Sequence, residues 1–249
     1  MKPGNHTYSS RIFLVALTLV LAGACNKDDT PPPAPPVQEL TIVVGYNVDG
    51  AALVSSQIQY TNAAGNPFSV YTLNYYLSGF SLQMMDGSWK ELDDIVYLDA
   101  FNAAKNTFIL KGIPAGNYKA FKLIIGLEPE NNVSNSLPPT VDNINMSWPD
   151  MMGGGYHFLK LEGYFKDANA VTQGYAMHVG TNTFHSEVVL NQEYAISTGK
   201  DTLKLNMNIA EWFKNPNTYD LNIQGNYSMG RDSSMRKLSE NGSNVFTLE

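Results

Sequence analysis

Leu40-Thr41-Ile42-Val43-Val44-Gly45-Tyr46-Asn47 places Leu40, Ile42, Val44 and Tyr46 at every second position. In an extended chain such residues share one face, so the stretch reads as a strand with one side on a core. The pattern continues outward from there. Residues 69–85 are rich in Tyr, Leu, Val and Phe, and further β-like runs lie at 95–98, 107–110, 118–127, 156–165, 174–179, 187–190 and 202–209. Turn signals separate them: Ala64-Gly65-Asn66-Pro67, Asp86-Gly87, Pro114-Ala115-Gly116-Asn117 and Thr198-Gly199-Lys200-Asp201. Many short strands punctuated in this way predict an all-β fold, an antiparallel β-sandwich with long loops. One short helix is expected at 209–213 and a second within 128–149. No internal repeat is visible.

Residues 128–155 interrupt the pattern. They contain Asn131-Asn132, Pro138-Pro139 and Gly153-Gly154-Gly155, with Met146, Trp148, Met151 and Met152 among their apolar members. A patternless segment of this length inside a compact domain is usually functional or disordered. Ser, Asn and Gly enrich the chain beyond Gly225, which predicts a polar, partly flexible tail at 225–249.

The first 24 residues read as a signal peptide. Lys2 and Arg11 precede an apolar run at 12–21 that only Thr18 breaks. That run is shorter than the roughly 20 apolar residues a membrane-spanning helix needs. Leu21-Ala22-Gly23-Ala24-Cys25 resembles a lipobox, with Ala22 standing where Leu is usual. Cys25 is the only cysteine of the chain. Acylation accounts for a lone thiol in an exported protein, and the domain must then hold together without disulfides. Lys27-Asp28-Asp29 is similar to the surface-export signal of Bacteroidetes lipoproteins. The expected location is therefore the outer membrane, lipid-anchored and facing the cell surface, with a periplasm-facing anchor as the alternative. Thr30-Pro31-Pro32-Pro33-Ala34-Pro35-Pro36 is a stiff tether that would extend about 20–30 Å at ~3.1 Å per residue. Residues 25–38 thus carry lipid and tether, and 39–224 form the sandwich domain.

The formal net charge is −7, and it becomes more negative once Lys2 and Arg11 are removed. An acidic chain without a Lys/Arg run lacks the footprint of a nucleic-acid binder. There is no Gly-x-Ser-x-Gly elbow, His-Glu-x-x-His, phosphate loop or dinucleotide fingerprint, so a binding protein rather than an enzyme is expected.

His178 shares an extended face with Gly174, Ala176 and Gly180. Small neighbours leave room for a metal, for a bulky partner such as an indole, or for ordinary packing of a hydrogen-bonded histidine. Imidazole is the commonest metal ligand among side chains. His157 shares its face with Leu159, Leu161 and Phe165, which suits a structural histidine at a strand end as well as a ligand. His185 falls in a turn expected to be exposed. Met146, Met151 and Met152 offer thioethers to Cu(I) or fill gaps beneath a loop. Trp148, taken alone, reads as the anchor of the long segment. Asp93, Asp94 and Asp99 lack the alternation and glycine of a calcium loop. Glu162 lies on the face of Tyr156, Phe158, Lys160 and Tyr164, where it can pair with a cation or polarise a histidine from behind.

Several stretches in order resemble the MbnP-like family of exported β-sandwich proteins, some of whose members bind copper. They are Tyr60-Thr61-Asn62-Ala63-Ala64-Gly65-Asn66-Pro67-Phe68-Ser69-Val70, Leu73-Asn74-Tyr75-Tyr76-Leu77-Ser78, Tyr97-Leu98-Asp99 and Ile113-Pro114-Ala115-Gly116-Asn117-Tyr118. Met146-Ser147-Trp148, Gly155-Tyr156-His157-Phe158-Leu159-Lys160-Leu161-Glu162-Gly163 and His178-Val179-Gly180 complete the set. The resemblance spans about 40–215. It implies copper held by histidine together with a tryptophan oxidised to kynurenine by a dihaem peroxidase-like partner. By position, His178 matches the family histidine and Trp148 the modifiable tryptophan, with His157 and Met146 as further candidate ligands and Glu162 behind them. Two departures stand out. The first strand carries Asn47 where copper-binding members often have histidine, and Asp150 stands where a second tryptophan is common. The alternative is a surface module that binds glycans or proteins, for which the fourteen tyrosines supply stacking surfaces.

Overall fold

The computed structural model describes Met1 and residues 37–249 apart from Thr198. The expected signal peptide, Cys25 and the proline tether lie outside the described residues.

In chain order the strands are β1 (Val37–Val48), β2 (Ala51–Ala52), β3 (Tyr60–Thr61), β4 (Pro67–Phe68), β5 (Thr72–Met84), β6 (Trp89–Leu92), β7 (Val96–Asp99), β8 (Thr107–Pro114), β9 (Gly116–Ile125), β10 (His157–Lys166), β11 (Thr172–Gly180), β12 (Ser186–Leu190), β13 (Tyr194–Ile196), β14 (Lys200–Asn208) and β15 (Phe246–Leu248). They form two sheets. The smaller runs β15-β14-β1-β2, with β8 on the other edge of β1. The larger runs β12-β9-β5-β10-β4-β3, with β11 beside β10, β13 beside β9, and β6 and β7 beside β5. The all-β sandwich follows from burial. Leu40, Ile42 and Val44 of β1 meet the same core as Leu73, Tyr75 and Leu77 of β5 and Leu159, Leu161, Met177 and Val179 of β10 and β11. Period-two alternation on both sheets closes a shared apolar layer, and burying each such side chain contributes about 1.5–3 kcal/mol.

Two features depart from expectation. The pairing of β1 with β14 is parallel, in register from Glu39↔Lys200 to Asn47↔Asn208, inside an otherwise antiparallel fold. The tail is not loose. Residues 232–242 form helix α2 (Asp232–Gly242), and β15 adds to the edge of β14. Met235, Leu238, Val245 and Phe246 are buried in the main core. Four apolar anchors among many polar residues hold this segment, so composition alone misjudges it. The two expected short helices are present, one as helix α1 (Val141–Asn145) and one as a 3-10 helix over Ile209–Phe213. No helix among the described residues is long and apolar enough to cross a membrane.

Candidate metal centre

The outer face of β10 and β11 carries the histidines. Pairing sets Lys160 opposite His178 and Glu162 opposite Ala176. The register then shifts between His157 and Leu159, so that His157 lies opposite Gly180. A bulge adds one residue to one strand and reverses side-chain parity beyond it. His157 therefore leaves the inward face of Leu159 and Leu161 and joins the face of His178. Its ring stands edge-on to that of His178, centroids 5.0 Å apart at 88°. On its other side is the Trp148 indole, 4.7 Å away.

Gly180 makes room for that indole. A Cβ there would sit 2.5 Å from Trp148 Cε3, closer than any side chain tolerates. The space that Gly180 leaves, two places beyond His178, is thus filled by the tryptophan. Trp148 is 2 % exposed, and its Nε1–H donates to the carbonyl of Met152 at 3.2 Å. Met146 reaches the centre through its backbone. Its carbonyl accepts from the His157 amide at 2.6 Å and faces His157 Nδ1 at 3.1 Å. Its side chain packs instead in a small cluster with Tyr76, Leu127, Tyr156 and Phe158.

These contacts fix the imidazoles chemically. A carbonyl only accepts, so Nδ1 of His157 carries the proton and Nε2 keeps its lone pair. Burial, and then the neighbouring His178, hold the pKa of His157 down at about 4. It is neutral at pH 7, as a metal ligand must be. Nε2 of His178 lies 2.7 Å from Glu162 Oε1. The contact with His178 holds Glu162 below the usual carboxylate range against the opposing effect of burial, with Thr72 assisting. An ionised Glu162 accepts from Nε2–H and leaves Nδ1 of His178 as the free nitrogen. Each ring is therefore oriented through one nitrogen, with the Ser147 backbone also acting on the His157 ring, and second partners of this kind are what orient histidines that bind metals. Were a metal bound here, His157 and His178, whose rings stand 5.0 Å apart, would be the residues to hold it. The donor set suits copper, for which imidazole is a good ligand. It is a small set: among the described residues no three His, Cys, Asp or Glu side chains gather around one point.

Other candidates lie elsewhere. Asn47 is on β1 of the smaller sheet, where its Oδ1 accepts from Gly50 N–H. His185 is half-buried, and its Nδ1 faces the Asn182 carbonyl at 3.0 Å. Met151 is 92 % exposed. One participant escaped sequence reasoning. Ser228, in the tail, donates its hydroxyl to the His178 carbonyl at 2.6 Å, while the backbone around it pairs with Ala176. A lone serine in a polar stretch carries no signal of that role.

Comparison with known proteins agrees with this architecture. The sequence model of the family MbnP matches residues 37–230. The solved structure of MbnP from Methylosinus trichosporium aligns with 72 % of this chain and 78 % of its own, at 15 % identity and a TM-score of 0.52. At that identity the likeness speaks for the fold alone. No curated protein sequence matches the chain. A family match over most of the domain, on the strands that carry His157, Glu162 and His178, places the chain in the MbnP family.

Proposed function

We propose that the protein is an exported lipoprotein that binds copper between His178 and His157, beside Trp148. The observation that carries this reading is the pair of adjacent imidazoles, one oriented by Glu162 and the other by the Met146 carbonyl. Trp148 lies against His157, where its oxidation to kynurenine by a dihaem peroxidase-like partner would supply a further donor. Glu162 positions His178 and balances the charge of a bound cation. Cys25 would carry the lipid, and the Pro-rich segment would hold the domain off the outer membrane, at the cell surface or facing the periplasm. The role is binding rather than catalysis.

Protein purified from its native host tests the reading by copper content and intact mass. Stoichiometric copper, a lipidated N-terminus at Cys25 and the mass change of a converted tryptophan are expected. A copper-free protein with an unmodified indole would overturn it.

A further inference from the structure

The 128–155 segment covers a second feature, which the copper reading does not use. Where it crosses the outer ends of β5 and β7 it leaves two adjoining depressions that share Leu137, Pro138 and Asn143. The larger has a volume of about 320 Å³ and is open to solvent, at the lower end of the range of small-ligand sites. Tyr76, Ile95, Tyr97, Lys105, Leu137 and Asp142 line it, with the Lys105 ammonium over the Tyr97 ring, 5.3 Å from its centroid.

The frame is rigid. Tyr76 donates its hydroxyl to Asn143 Oδ1 at 2.7 Å, and Asn143 Nδ2 donates to the Pro138 carbonyl at 2.8 Å. The charges cancel, because the Lys105 ammonium pairs with Asp142 Oδ2 and both are about a third exposed. In a chain of net charge −7 the two charged groups that line this concavity pair with each other, and Asp99 lies beyond the lining. It still offers hydrogen-bonding capacity. Asp142 Oδ1 and the Tyr97 hydroxyl make no hydrogen bond to any described residue, and the ammonium has protons to spare. The Tyr97 hydroxyl is also held protonated, by burial and by nearby Asp99 and Asp142, so it is a standing donor.

We propose that this groove is a carbohydrate site that takes one or two neutral hexose rings. A pyranose presents an apolar C–H face and a rim of hydroxyls. Ile95, Leu137 and Pro138 match the first, and Tyr97 Oη, Asp142 Oδ1 and Lys105 Nζ match the second. An anionic ligand would need an excess of positive charge, and a cationic one an excess of negative charge. The ion pair supplies neither. The framing bonds of Asn143 lower the ordering cost of binding.

The test uses the full chain with ¹³C-labelled isoleucine δ1 methyls, titrated with cellobiose, maltose and diacetylchitobiose, and with glucuronate as the charged control. The Ile95 methyl is expected to move and saturate with at least one neutral disaccharide at a Kd of about 1 mM or tighter. Tyr97→Ala should abolish the shift and Asp142→Asn should weaken binding several-fold, with the core isoleucine methyls unmoved. Should Tyr97→Ala perturb the fold, Tyr97→Phe removes the hydroxyl alone and should still weaken binding. An Ile95 methyl unmoved by all three disaccharides would overturn the proposal. So would binding unaffected by Tyr97→Phe and Asp142→Asn together, or glucuronate bound as tightly as the neutral sugars.

Discussion

On one side of the 128–155 segment His157 is 6 % exposed and Trp148 2 %; on the other, Lys105 and Asp142 each leave about a third of their side chains in solvent. One insertion borders both regions. It seals the first with the Met146 carbonyl and the Trp148 indole, and leaves the second open between Tyr97 and Leu137. The difference teaches what burial does to polar groups. In the sealed region desolvation strips His157 of its proton and leaves a lone pair. In the open region solvent lets an ion pair persist with bonding capacity unused. The first environment suits a metal and the second an uncharged ligand rich in hydroxyls.

The comparison can be broken first by removing the seal. Trp148→Ala should destabilise the domain by about 3–5 kcal/mol, as truncation of a buried aromatic does, measured by urea unfolding. Gly180→Ala tests the same seal from the strand side. The added methyl meets the indole, and a cost of about 1–3 kcal/mol is expected for overpacking. Retention of full stability by Gly180→Ala would show that the indole does not rest on that glycine.

Acid should also separate the two regions. His157 has an unfolded pKa near 6.5 and a folded value of about 4. Between those values the unfolded chain binds the extra proton, so stability falls as pH drops from 6.5 towards 4 and the His157 contribution is constant below that. The Glu162 contribution has the same sign but acts lower, because its folded pKa is depressed below 4.5. His157→Asn can keep the bond to the Met146 carbonyl without titrating. Urea midpoints across pH 4–7 should therefore slope less in that variant than in the parent. Equal slopes would place the acid sensitivity elsewhere.

Glu162→Gln refines the sealed region without opening it. It keeps the shape but lets the amide orient either way towards His178, and copper affinity should fall about 10–100-fold, as with other partners behind a ligand. A competition titration reads this directly. The smallest effect is expected in the open groove. Asp142→Asn should change stability by less than about 1 kcal/mol, because partly exposed ion pairs contribute little.

Much of this was legible in the sequence. Period two in residues 40–46 marks β1, and Gly180, two places beyond His178, foretells the space that Trp148 fills. What stayed hidden depends on non-local geometry. The bulge that turns His157 outward involves Phe158, a residue that looks like any other strand position. The parallel pairing of β1 with β14 joins segments some 160 residues apart. Helix α2 hides in a stretch where only Met235 and Leu238 are buried apolar side chains. The groove assembles Tyr97, Lys105 and Asp142 from three separate elements, each unremarked in its own neighbourhood.

Copper binding by the two oriented imidazoles is tested by the copper content of the protein isolated from its native host, compared between the parent and His178→Ala. Stoichiometric copper is expected in the parent and its loss in the variant, with the fold retained by circular dichroism. Equal copper in both, or none in either, would overturn the proposed copper site.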